Sequence, residues 1–144
     1  MTAIKREQII AAVATALVGT TGVSTRIYRS RTEAFARNEA PAIVIEPGED
    51  VATSDPLSLC RIDWRLQVII AVYTRGAIPD QLAAPIVGSL HSKLMADRSL
   101  GGLAMDIWPE AVQHQQDQAD ATAGWTVCRY SVRYRTLIAD LTSS

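Results

Sequence analysis

The sequence predicts an α+β fold: a mostly antiparallel sheet of four to five strands with two main helices packed on one face. Three observations predict it. CRYSVRYRTL, ending at Leu137, places Cys128, Tyr130, Val132 and Tyr134 on one parity and Arg129, Ser131, Arg133 and Arg135 on the other. In a strand successive side chains point to opposite faces, so one face is apolar and the other cationic. CRIDWRLQVIIAVY repeats the pattern, with Ile62, Trp64, Leu66, Val68, Ile70 and Val72 against Arg61, Asp63, Arg65 and Gln67. Two further stretches, 3–18 and 79–97, carry apolar residues at helical spacing instead.

In chain order the first helix is AIKREQIIAAVATALV, with Ile10, Val13, Ala14 and Leu17 as its stripe. Its back, Ala11, Ala12, Thr15 and Ala16, holds no charge. Either the helix is covered on two faces or it is an ordinary alanine-rich helix. A short strand at 26–29 follows a turn region. Ser30 and Glu33 have the spacing of a capping box ahead of a short helix, TEAFARN. Pro41 and Pro47 bound a strand at 42–46. Residues 48–59 form a long acidic loop, a length usually functional or mobile in compact domains.

The strand from Cys60 turns apolar on both parities at Ile69 and Ala71, which predicts cover on both faces at that end. The second helix shows a Leu82, Ile86, Leu90, Leu94 stripe, and Gly101 with Gly102 provides its stop. Pro85 either kinks that helix or lies at its start. AMDIWPEAVQHQQ and GWTVCRYSVRYRTL read as a long hairpin across DQADATA, with Pro109 marking an edge or a bulge. Residues 1–144 thus form one domain, closing on a loose tail at 139–144.

Composition bounds the function. The chain has 144 residues, 48% hydrophobic and 20% charged, enough to bury a core without a metal or disulfide. A net charge of −1 argues against bulk electrostatic binding of DNA. Cys60 and Cys128 read as small buried hydrophobes. Neither a secretory leader nor a bilayer-spanning run is legible, so the expectation is a soluble protein made in the cytoplasm. His91 and His114 are far apart and form no ligand pair. There is no nucleophile elbow and no phosphate loop, and Asp97 and Asp106 read as turn carboxylates rather than a dyad. Neither an enzyme, a cofactor nor a metal is expected.

The arginine face has three possible counterparts: water, nucleic acid or protein. The tyrosines point away from the arginines, which weakens a base-stacking surface. Arginine pairs readily with carboxylates, and the chain carries Glu46, Glu49, Asp50 and Asp55 in and beside the long loop. The candidate interface is therefore Arg61, Arg65, Arg129, Arg133 and Arg135 against Glu49, Asp50 and Asp55 of another copy, a head-to-tail contact of the kind that closes rings.

Five segments in order, REQIIAAVATAL, YRSRTEAFARNEAPAIVIEPGED, RIDWRLQVIIAVYTRG, LHSKLMADRSLGGLAMDIWPE and GWTVCRYSVRYRT, give the chain a resemblance to a family. It resembles the tail terminators, or minor tail proteins, of tailed bacteriophages and is similar to the lambda tail terminator group. The resemblance implies a virion subunit, assembled in the host cytoplasm, that forms a hexameric ring on the head-proximal end of the tail tube. Such a ring stops tube polymerisation and presents a surface for head joining. Its implied partners are sister subunits, the major tail tube protein and a head-completion or stopper protein, with DNA passing the lumen unread and no membrane contact. The alternatives are a neck or tail-completion (head–tail connector) protein of related fold, and a small enzyme or ligand-binding domain. Pro85 departs from the family pattern and leaves the course of the second helix open.

Overall fold

The computed structural model describes residues 3–31, 33–53, 60–116 and 122–143. The elements are α1 (Lys5–Ala16), β1 (Ile27–Arg29), β2 (Ala42–Ala52), β3 (Arg61–Arg75), α2 (Pro79–Ala96), β4 (Asp106–Gln116) and β5 (Ala123–Leu137), with a 3-10 turn at Arg37–Glu39. The strands form one five-stranded sheet in the order β1-β2-β3-β5-β4. β1 runs parallel to β2, and the other neighbours are antiparallel. The expected α+β architecture, mostly antiparallel with two main helices, is the observed one.

Alternation is kept along both long strands. Leu66, Val68, Ile70 and Val72 of β3, with Cys128, Tyr130, Val132 and Tyr134 of β5, are buried in one cluster with both helices. α1 supplies Ile9, Ile10 and Val13, and α2 supplies Ala83, Ile86, Leu90 and Leu94. Burying a leucine or isoleucine of this kind stabilises the fold by roughly 1.5–3 kcal/mol, which is why period-2 strands and period-3.6 helices close on each other here. Ala12 and Ala16 pack against this cluster, while Ala11 and Thr15 are exposed.

Four expectations about the course of the elements changed. Pro47 does not end its strand: β2 continues to Ala52 through an irregularity between Pro47 and Asp50. β1 pairs only with Ile43–Ile45, so Pro47 lies on an outer stretch of β2 where a missing N–H costs no ladder bond. Gly48 clears the neighbouring strand there, since a Cβ would approach Gln67 to 2.5 Å. Residues 48–52 of the expected loop are thus strand, and 54–59, including Asp55, lie outside the described residues. α2 runs continuously through Pro85, with Pro79 at its start. Its stripe uses Ala83 where Leu82 was expected, and Leu82 is 46% exposed.

The fourth change is at 30–41. A parallel β1–β2 pair requires a crossover, and this segment makes it across the face of the sheet opposite the helices. Among its described residues the backbone is irregular up to the 3-10 turn. Arg31 holds it in place by donating to both Glu39 oxygens (2.9 and 3.1 Å) and to the carbonyls of Glu33 and Ala34. Glu39 also accepts from the Ala36 N–H at 2.8 Å. The crossover lays Phe35 on the sheet, stacked on Tyr73 at 4.9 Å and tilted against Trp125 and Tyr28. Beneath lie Val44, Ala71 and Val127, all buried. This is the two-sided cover that Ile69 and Ala71 announced in the sequence.

Cys128 is buried as expected, and burial pushes its thiol up to about 11. Cys60 is exposed instead, at the start of β3 with φ 67°. Residues 139–143 fold back on the chain: the Lys5 N–H donates to the Leu141 carbonyl (2.7 Å), and the Leu137 N–H to Ser143 (3.0 Å). Phe35→Ala is expected to lower stability by about 2–3 kcal/mol in urea unfolding, because it strips the outer apolar cluster of its lid. A loss below about 0.5 kcal/mol would show that the crossover does not pack there.

Candidate interaction surface on the open sheet face

The crossover covers only half of the face opposite the helices. The other half is built from the second parity of β3 and β5. Its rows follow from register: Arg61 opposite Leu137, Asp63 opposite Arg135, Arg65 opposite Arg133, Gln67 opposite Ser131, and Ile69 opposite Arg129. β4 adds Asp106 beside Arg133 and Trp108 beside Ser131. β2 adds Val51 beside Arg65 and Glu46 beside Ile69. All five arginines named from the sequence lie on this one face, on two neighbouring strands.

Their partners differ. Arg135 donates to Asp63 at 2.6 and 3.4 Å, and this bond holds the Asp63 carboxyl below its usual range. Arg129 donates to Gln113 of β4 at 2.7 Å. Among the described residues Arg61 reaches only the carbonyl of Cys60, at 3.4 Å. Asp106, the carboxylate beside Arg133, is taken by Arg98 in a two-pronged pair at 2.7 Å. That pair is the main cause holding Asp106 low, with the nearby charge of Arg133 adding to it. Arg65 and Arg133 therefore stand side by side, exposed and with no side-chain hydrogen bond or ion pair among the described residues.

The acidic candidates are also separated. Glu49 is exposed in the irregular stretch of β2 and has no partner among the described residues. Asp50, one residue on, is paired with Leu66 and so faces the helices. Tyr134 donates its hydroxyl to Asp50 Oδ2, while Oδ1 is buried without a partner. Burial raises the Asp50 carboxyl above its ordinary value despite that bond, and pushes the Tyr134 hydroxyl up as well. A small cavity of about 90 Å³ adjoins them, lined by Arg6, Trp64, Thr136 and Leu141 among others. Sequence parity could not reveal this Asp50–Tyr134 link, because the irregularity in β2 reverses which face Asp50 occupies.

The remaining chemistry-bearing residues are engaged in packing. His91 Nδ1 and the Tyr130 hydroxyl share a hydrogen bond at 2.8 Å, and burial pushes Tyr130 up to about 12. His91 is thus held against the sheet. Asp97 caps the turn after α2, accepting from the N–H groups of Ser99 and Gly101 (3.1 and 2.9 Å). Among the described residues no group of His, Cys, Asp and Glu could hold a metal ion, and no helix is long and apolar enough to cross a membrane. A groove of about 600 Å³ opens between the start of α2 and the turns at Gly22 and Pro41; of its lining residues only Arg75 is charged.

No protein-family model matches the chain, and no curated protein matches it by sequence. Among solved structures it is similar to a chain described as "Virion of native gene transfer agent (GTA) particle". That chain is 14% identical, with a TM-score of 0.49 and 92% of each chain covered. A likeness of this size establishes neither a family nor an activity.

The buried carboxyl has a measurable signature. A folded-state value raised above the unfolded one favours folding at low pH and weakens it as pH rises through the raised value. Asp50→Asn removes that penalty. The variant is expected to melt above the parent at pH 8, with the gap closing as pH falls towards about 4, the unfolded carboxyl range. A gap that is constant with pH would show that Asp50 titrates normally.

Proposed function

We propose that the chain is a structural subunit of a phage-like virion: a tail terminator that assembles as a ring on the tail tube, ends its growth and offers a surface for head joining. The observation that carries this reading is the open half of the sheet face. The fold pairs four arginines with carboxylates, Arg29 on Glu7, Arg31 on Glu39, Arg98 on Asp106 and Arg135 on Asp63. Yet it leaves Arg65 and Arg133 adjacent and unpaired at the centre of the sheet. Like charges directly opposite each other destabilise a sheet, and the Asp106 carboxylate on the other side of Arg133 is engaged by Arg98, so this arrangement suits a surface completed by another molecule.

The quoted sequence segments support the same reading, since they resemble tail terminators in order along the chain. A terminator requires complementary surfaces rather than chemistry. One contacts sister subunits, one contacts the tube, and one differs from the tube so that growth stops. Specific contacts of this kind bury about 800 Å² per partner, which the open sheet half and the exposed outer strand β4 are placed to supply. β4 is exposed from Glu110 to Gln116 and carries Trp108, 58% exposed, on the arginine face.

Light scattering across a concentration series, with electron microscopy of the same fractions, tests the reading. The expected result is a mass near about six subunits and closed rings. A monomer at every concentration, which also leaves tail tubes uncapped, would contradict it.

A further inference from the structure

Arg65 and Arg133 occupy opposed positions in the β3–β5 register, on the open face. Two carboxylates flank them and neither is available: Asp63 is engaged by Arg135 and Asp106 by Arg98. We infer that the two guanidinium groups form a clamp for one carboxylate of a second copy of this chain, with Glu49 as the donor. This rests on the proposed assembling subunit and specifies its contact.

The chemistry favours a single carboxylate. A guanidinium presents its N–H groups in a planar fork matched to carboxylate oxygens, and two forks side by side serve both oxygens at once. A nucleic-acid backbone is a poorer fit, because phosphates tracking across the face would meet Asp63 and Asp106 on either side of the pair.

The donor follows from β2. Glu49 lies in the irregular stretch where Gly48 passes close to Gln67, and irregularities of this kind re-aim a side chain. Glu49 is exposed and unpartnered among the described residues, whereas the adjacent Asp50 is turned inward to Tyr134. Within one copy Glu49 makes no ion pair with Arg65, one strand away, or with Arg133, two strands away. A second copy supplies the missing contact, and both halves are present in every subunit, as a ring demands.

Charge exchange tests this. Arg133→Glu and Glu49→Arg are each expected to weaken self-association by more than about thirtyfold in sedimentation or light scattering. Mixing the two variants restores assembly, because each supplies the half that the other lacks. Arg133→Gln, which removes the charge without setting a carboxylate opposite Asp106, is expected to weaken assembly while its monomer melts within about 2 °C of the parent. Assembly is then lost while the fold is kept, which a misfolded variant would not show.

Wild-type assembly that survives both single changes, or mixing that fails to restore it, overturns the clamp while leaving the ring reading intact. A wild-type chain that never assembles overturns both. A fluorescent single-stranded oligonucleotide bound by the parent and released by Arg133→Glu, with masses unchanged, would assign the clamp to phosphate and overturn the inference.

Discussion

The unbroken pairing of β3 with β5, fifteen residues on each strand, is the constraint on which the rest of the molecule depends. It fixes parity across the centre of the sheet. Every second residue of both strands is committed to the helices, and those between are committed to the opposite face. A slip of one residue would drive Arg133 and Arg135 into the core and expel Tyr130 and Tyr134. Burial of Tyr130 against His91, and of Tyr134 against Asp50, locks that choice from within.

The opposite face is then divided by topology. The β1–β2 crossover must traverse the sheet, and it closes the half where β3 and β5 carry Ala71, Tyr73, Trp125 and Val127. The cationic half stays open because no segment among the described residues returns over it. One strand pair thus supplies a second small core at one end and a charged surface at the other. Arg65 and Arg133 are like charges across the β3–β5 pair, offset in part by Asp106 opposite Arg133 on β4.

Much of the fold was legible because it rests on periodicity. Alternation in β3 and β5, the helical stripes and the two-sided apolar stretch at Ile69 and Ala71 are all local patterns that packing preserves. Contacts distant in sequence were not legible. The segment 30–41 has helix-forming composition, yet the Arg31–Glu39 pair and the Phe35 stack give it another shape. Pro47 reads as a strand end until β1 is known to stop short of it. The arginine face could be read from parity, but which arginines were left unpaired could not. That depends on cross-strand register, which sets Arg135 against Asp63 and Arg65 against Arg133. Asp50 shows the same limit, since one irregularity in β2 moved it from the expected surface into contact with the core.

The most direct measurement of the central claim is arginine-selective modification read by mass spectrometry, on the monomer and on the assembled form. Arg6, exposed on α1 at the helix-covered side of the sheet, serves as the reference. The account predicts that Arg65 and Arg133 react freely in the monomer and are protected on assembly, while Arg6 reacts equally in both. Equal reactivity of Arg65 and Arg133 in the two states would contradict it, because the open face would then remain in water after assembly.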